Sequence, residues 1–183
     1  IGSCGLCGVY SFKGNKVITA GGGGAIVSKD LDIAISAKHL TTTAKVPHAY
    51  EYVHNQIGYN YRMPNLNAAL VLAQLEQLGR FIEQKRELAS SYKSLFDQMD
   101  VQFRTEMDKT KANYWLMCVQ LENKTERDHF LNETNKHGIM TRPIWQLLYK
   151  LPMYASCIRD QQKNAEFLED RIVNIPSSVK LNG

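Results

Sequence analysis

No stretch of this sequence is apolar over the roughly 20 residues that a bilayer-spanning helix needs, so no membrane partner is expected. Cysteine is scarce, four residues in 183, and its scatter excludes a disulfide scaffold. Cys4 and Cys7 form one C-x-x-C, but Cys118 and Cys157 stand apart and no second pair at zinc-like spacing follows, so no metal site is expected. Neither G-x-x-x-x-G-K-[ST] nor G-x-G-x-x-G occurs, which removes the two common phosphate-loop signatures. The net charge of +4 is mild and no Lys/Arg block is dense, so nucleic acid is not an expected partner, whereas small anionic ligands are compatible. The first residues show no charged-then-apolar leader pattern, and a cytoplasmic location is the expectation. What remains is the composition of an ordinary globular protein, 44% hydrophobic and 22% charged.

The most informative stretch is residues 10–28, YSFKGNKVITAGGGGAIVS. Residues 9–12 and 25–27 have strand composition, with turn formers between them, which places Lys16 in a turn at the end of a buried strand pair. A lysine that is partly desolvated there loses its proton more readily than a free one, and a neutral amine is what imine formation requires. On spacing alone, a solvated surface lysine is the plainer alternative. Gly21, Gly22, Gly23 and Gly24 supply backbone that takes positive φ and approaches a ligand or strand closely, or else simply a wide hairpin.

Further along, Asp30 reads as the cap of a helix running to about His39. Residues 41–59 then lose all periodicity, and a loop of that length is usually functional or mobile. Pro64 reads as the first position of a helix that continues to about Phe96, interrupted at Gly79. Beyond Asp100 the pattern becomes a small α/β module. It has a buried strand over 114–121, a helix over 125–137 capped by Thr125 and stopped by Gly138, a strand over 139–143 and a helix over 164–172. Trp145, Tyr149 and Tyr154 are read as core, with a wall for a sugar or nucleotide ring as the alternative.

The string Ser11-Phe12-Lys13-Gly14-Asn15-Lys16, the later Gly21-Gly22-Gly23-Gly24-Ala25-Ile26-Val27, and Gly58-Tyr59-Asn60-Tyr61-Arg62-Met63 together resemble the DegT/DnrJ/EryC1/StrS nucleotide-sugar aminotransferases. The resemblance runs from Gly2 to about Val179, and Asn174-Ile175-Pro176-Ser177-Ser178 resembles the family's closing strand. Within the family, AKHLTTTAKVPHAYEYVHNQIGYNYRMPNLNAAL looks most like enzymes that aminate C4 of UDP-linked 4-keto-6-deoxy-N-acetylhexosamines on bacillosamine- and legionaminic-acid-type routes. The resemblance implies the α/β C-terminal half of a fold-type-I pyridoxal-phosphate transferase. Residues 1–63 would end the large-domain mixed sheet, 64–97 would form a long connecting helix, and 98–183 a small α/β domain. It also implies pyridoxal 5′-phosphate as cofactor, L-glutamate as amino donor, a nucleotide-linked 4-keto sugar as acceptor, and a homodimer with shared active sites. Lys16 would carry the cofactor covalently and shuttle protons. Ser11 would bond the cofactor phosphate, and Asn60 would reach across the dimer to the neighbouring subunit's phosphate. His48, Tyr50, His54 and Arg62 would touch the nucleotide sugar. Lysine rather than histidine at position 16 sets the chain apart from the related sugar 3-dehydratases. A catalytically silent homologue acting as a binding or regulatory protein is the alternative.

Overall fold

Strand-forming Val9 and Tyr10 lie in β1 (Gly8–Ser11), which pairs antiparallel with β2 (Gly24–Val27), Gly8 opposite Val27 and Ser11 opposite Gly24. These are the first elements of a computed structural model that describes residues 4–179. The chain forms two units that divide between Gly79 and Arg80. The strand pair is not buried as the sequence suggested: Val9 is 76% exposed and Ile26 47%. A two-stranded ribbon with one helix against β2 leaves most of both faces uncovered among the described residues.

That helix is α1 (Leu31–Thr41), and its cap is as expected, since the Asp30 carboxylate accepts from the amides of Asp32 and Ile33 at 2.9 and 3.2 Å. Lys38 and His39 occupy its last turn, where the helix dipole favours cations. The periodic run after Pro64 is two helices, α2 (Asn65–Leu75) and α3 (Leu78–Gln98), with Pro64 as N-cap rather than first helical residue. The break falls at Glu76 and Gln77, two residues ahead of Gly79, where the Gln77 amide tightens onto the Gln74 carbonyl at 3.1 Å. Of α2 only Val71 is buried, whereas α3 buries Ala89 and Phe96.

In the second unit, β3 (Gln102–Phe103), β4 (Met117–Gln120), β5 (Arg142–Pro143) and β6 (Ile172–Ile175) form an antiparallel sheet of order β3-β4-β6-β5. Met117, Val119 and Val173 are fully buried and pack with Ala89, Phe96 and Phe103 against α3. β4 is shorter than the apolar run. Tyr114 takes a left-handed φ of 45° and the Trp115 amide donates to Asn113 Oδ1, so the chain is still turning there. Helix α4 (Lys124–Lys136) is capped by Asn123, whose Oδ1 accepts from Glu126 N at 3.0 Å; Thr125 lies inside the first turn. Gly138, at φ 78°, stops the helix as expected. Helix α5 (Lys163–Glu169) ends before the predicted residue 172, and β6 correspondingly starts earlier, its ladder ending before Pro176, which has no N–H to donate.

The aromatic segment is not core. Trp145 is 70% exposed and Tyr154 44%, with Tyr149 half-buried. Residues 148–154 make two successive 3-10 turns outside the sheet, and among the described residues no second layer covers them.

Arg86 on α3 makes a two-point ion pair with Glu106, Nη1 to Oε2 at 2.9 Å and Nη2 to Oε1 at 2.6 Å. The same carboxylate accepts from Ala112 N at 2.6 Å, which ties the 104–114 loop to the helix. These bonds hold the Glu106 carboxyl down at about 2. Burial lowers the Lys85 ammonium from its ordinary value, and its Nζ donates to Ser177 O at 2.7 Å.

Candidate active site

Ser11 ends β1, and the chain then leaves the ribbon for a short excursion that carries Lys16. The excursion is pinched shut at its base: Phe12 O accepts from Ala20 N at 2.9 Å and from Thr19 Oγ1 at 3.2 Å. Inside it, Lys16 N donates to Lys13 O at 3.0 Å, closing a four-residue turn. Ile18 and Ala20 are buried, and Lys16 is half-buried. Helix α2 supplies two braces. Asn67 Nδ2 donates to Ala20 O at 2.7 Å, and Gln74 Oε1 accepts from Thr19 N at 3.4 Å. The predicted turn position of Lys16 is therefore present, seated on a helix and not at the end of a buried sheet.

Ser11 Oγ accepts from Lys13 N at 3.3 Å, which leaves the hydroxyl proton available to an external acceptor. Gly24 is required by close approach to backbone, and Gly21 and Gly23 by their positive φ of 76° and 90°. A Cβ on Gly24 would lie 2.5 Å from Tyr10 O, and one on Gly23, at φ 90°, would lie 2.9 Å from Met63 Cε. A Cβ on Gly22 would meet nothing within 4 Å.

The second motif is anchored to the end of α1. Tyr59 N donates to Leu40 O at 2.7 Å and Tyr61 N to Thr41 O at 2.9 Å, which sets Asn60 opposite Thr42. Asn60 and Arg62 are exposed, and the Tyr59 and Tyr61 rings stack at 5.2 Å. Met63, packed on Gly23, joins this motif to the glycine run. A cleft of about 260 Å³ lies between Gly24 and Ile26 of β2, Ala34, Lys38 and Thr41 of α1, and Tyr61.

The aperiodic loop is internally bonded. Thr43 and Ala44 take consecutive left-handed φ values of 68° and 50°, the first unusual for a β-branched residue. Ala44 is fully buried against Gly58, where a Cβ would come within 2.5 Å of the Ala44 nitrogen. His54 Nδ1 donates to Thr43 O at 2.7 Å, holding that strained joint. His48 does something different: its Nδ1 accepts from Glu51 N at 3.0 Å and from Tyr50 N at 3.5 Å, with the Tyr50 ring edge-on at 4.8 Å. The structure thus brings His48 and Tyr50 together at the loop tip and puts His54 at its root. Sequence reading missed Asn67 and Gln74, although two amides seven residues apart on one helix mark a shared face.

Comparison with known proteins follows the same lines. The model of the DegT/DnrJ/EryC1/StrS aminotransferase family matches residues 1–183. GDP-perosamine synthase of Escherichia coli O157:H7 is 36% identical over 184 residues, covering 100% of this chain and 49% of that protein. The putative pyridoxal phosphate-dependent aminotransferase EpsN of Bacillus subtilis (strain 168) is 35% identical, covering 98% of this chain and 47% of its own. Among solved structures, the Helicobacter pylori aminotransferase PseC, involved in the biosynthesis of pseudoaminic acid, superposes with a TM-score of 0.89 at 23% identity, over 96% of this chain and 49% of that one. The chain thus spans about half the length of the curated relatives it matches. The fold is the mixed α/β C-terminal half of a fold-type-I aminotransferase. The chain belongs to the DegT/DnrJ/EryC1/StrS aminotransferase family, whose cofactor is pyridoxal phosphate.

Proposed function

We propose that Lys16 is the cofactor-anchoring lysine of an aminotransferase that moves an amino group from L-glutamate to a nucleotide-linked 4-keto-6-deoxy sugar. The observation that carries this reading is the braced Lys16 turn with Ser11 at its entrance. The donor set fits the cofactor: the primary amine of half-buried Lys16 suits an aldehyde, and a hydroxyl with its proton unspent suits a phosphate oxygen. Bound there, pyridoxal phosphate supplies an electron sink that makes the donor's α-proton removable.

The chain's own residues do the rest. Lys16 Nζ would hold the cofactor through its aldehyde, and when its nitrogen is free it would take up the donor's α-proton and hand it on. The backbone that carries Lys16 is tied down by the Phe12–Ala20 pair and by α2. Ser11 orients the phosphate by donating its hydroxyl proton. Asn60 offers two N–H donors without a full charge, which suits a phosphate on a second copy of the chain in a homodimer with shared sites. His48, Tyr50, His54 and Arg62 face the sugar nucleotide, Arg62 as the charged donor to its phosphates. No helix in the described residues is long and apolar enough to cross a membrane, and a cytoplasmic enzyme is part of the same proposal.

The test is a visible spectrum with added cofactor, then borohydride reduction and peptide mapping. A visible band with the reduced adduct mapped to Lys16 supports the assignment. An adduct spread over Lys13, Lys29 and other exposed lysines, or none, refutes it and favours a silent homologue.

A further inference from the structure

Thr19 stands where the Lys16 excursion meets the glycine run, and both its hydroxyl and its amide are engaged there. Its Oγ1 donates to Phe12 O at 3.2 Å, at the entrance of the excursion, and accepts from Gly21 N at 3.0 Å, at the start of the glycines. Its amide donates to Gln74 Oε1 on α2 at 3.4 Å. A hydroxyl carries one donor and acceptor lone pairs, so it makes both of its bonds at once.

Phe12 is the other side of this joint. Its amide donates to Gly23 O at 3.0 Å, and its carbonyl takes Ala20 N at 2.9 Å together with the Thr19 hydroxyl. One backbone bond between Phe12 and Ala20 closes the excursion but leaves the chain free to swing about it; a second bond from the side chain before Ala20 removes that freedom. The direction in which the chain leaves is set at Gly21, whose φ of 76° is left-handed, and it is the Gly21 amide that the same hydroxyl holds. Two residues on, Gly23 turns again at φ 90° and meets Met63. Gly21 is exposed, so water would satisfy its amide as well as Thr19 does. The bond therefore adds little to global stability, and its effect is on geometry.

We propose that Thr19 is a positioning residue for Lys16: its hydroxyl fixes the angle between the Lys16 turn and the glycine run, so that the Lys16 amine and the Ser11 hydroxyl serve one ligand together. The proposal rests on Lys16 as the cofactor anchor and adds the group that holds it in register. Thr19 itself touches no reacting atom. What the joint requires is a hydroxyl and not bulk, because both groups that the side chain serves are backbone atoms.

The experiment compares Thr19→Val, which deletes both bonds at nearly constant shape, with Thr19→Ser, which keeps them. Thr19→Ala makes the same deletion without the branch and should behave as Thr19→Val does. The rate of borohydride-trapped adduct formation at Lys16 is measured on the whole chain with pyridoxal 5′-phosphate and with pyridoxal, which lacks the phosphate. Wild type should prefer the phosphorylated aldehyde. Thr19→Val should lose about tenfold of that preference, the worth of one hydrogen bond, while reacting with pyridoxal as wild type does, and Thr19→Ser should come within about twofold of wild type. Circular dichroism should be the same for all. A purely structural role would slow both aldehydes alike. The wild-type adduct separates the two readings. No Lys16 adduct on wild type overturns the catalytic reading and the role of Thr19 with it. A wild-type Lys16 adduct overturns the Thr19 role alone if it shows no phosphate preference, if Thr19→Val keeps that preference or slows both aldehydes equally, or if Thr19→Ser fails to restore it.

Discussion

Asn67→Ala probes whether α2 holds the Lys16 turn. The substitution deletes the 2.7 Å bond to Ala20 O, and Ala20 is 3% exposed, so water does not readily replace the lost donor. A lost hydrogen bond of this kind costs about 0.5–1.5 kcal/mol, and an unsatisfied buried carbonyl about 1–3 kcal/mol. Against this, alanine is the better helix former by up to about 0.7 kcal/mol. The global balance is then a loss of roughly 1 kcal/mol. Locally the turn feels the full bond and α2 keeps the propensity gain, so the two effects separate by site. Hydrogen exchange reads them apart: the amides of Lys16 and Ala20, which bond Lys13 O and Phe12 O, should exchange about tenfold faster, while those in the middle of α2 stay unchanged or slow. The borohydride-trapped adduct at Lys16 should fall in parallel. Unchanged exchange at both amides, or a uniform acceleration along the chain, would refute the bracing argument.

Three further outcomes follow from the geometry. Gly24→Ala should disrupt the ribbon by about 1–3 kcal/mol, because its Cβ meets the Tyr10 carbonyl at 2.5 Å, whereas Gly22→Ala should stay within about 0.5 kcal/mol; paired urea melts decide it, and equal effects would refute the contact. Asn123→Ala should cost about 1 kcal/mol and Thr125→Ala much less, since only Asn123 caps α4; the reverse order would restore the sequence-based cap. Glu106 has its carboxyl depressed to about 2, so its contribution is complete above the ordinary carboxylate value of about 4.5 and is lost as pH falls through about 2. Glu106→Gln should flatten the acid limb of the stability profile relative to wild type, and identical slopes between pH 5 and 2 would refute the linkage.

What was legible in the sequence is what local chemistry decides. Asp30 caps because its carboxylate reaches amides two and three residues on, Gly138 stops a helix because it takes positive φ, and the Lys16 turn announces itself by its turn formers. Burial was not legible. The strand composition of β1 and β2 says that they extend, but whether anything covers them depends on other layers. The aromatic run failed for the same reason: Trp145 and Tyr154 have core composition on a segment that no element overlies among the described residues. Asn123 and Thr125 are both good caps, and which one serves depends on where the backbone turns extended, at Asn123 with φ −156°. The braces on the Lys16 turn come from residues 47 and 55 positions away, beyond any local pattern. The paired left-handed residues at Thr43 and Ala44 likewise exist only because Gly58 and His54 hold them.

The β1–β2 ribbon also bears on handling. Each strand has its inner edge bonded and, among the described residues, its outer edge without a ladder, while Val9 and Ile26 present apolar surface beside those edges. Such an edge is a template for any extended chain that drifts alongside, including another copy of itself. Self-association should therefore climb steeply with concentration and ionic strength. Dilute, low-salt conditions and a sedimentation check belong ahead of every titration, lest ligand binding be mistaken for the breaking of edge-to-edge aggregates.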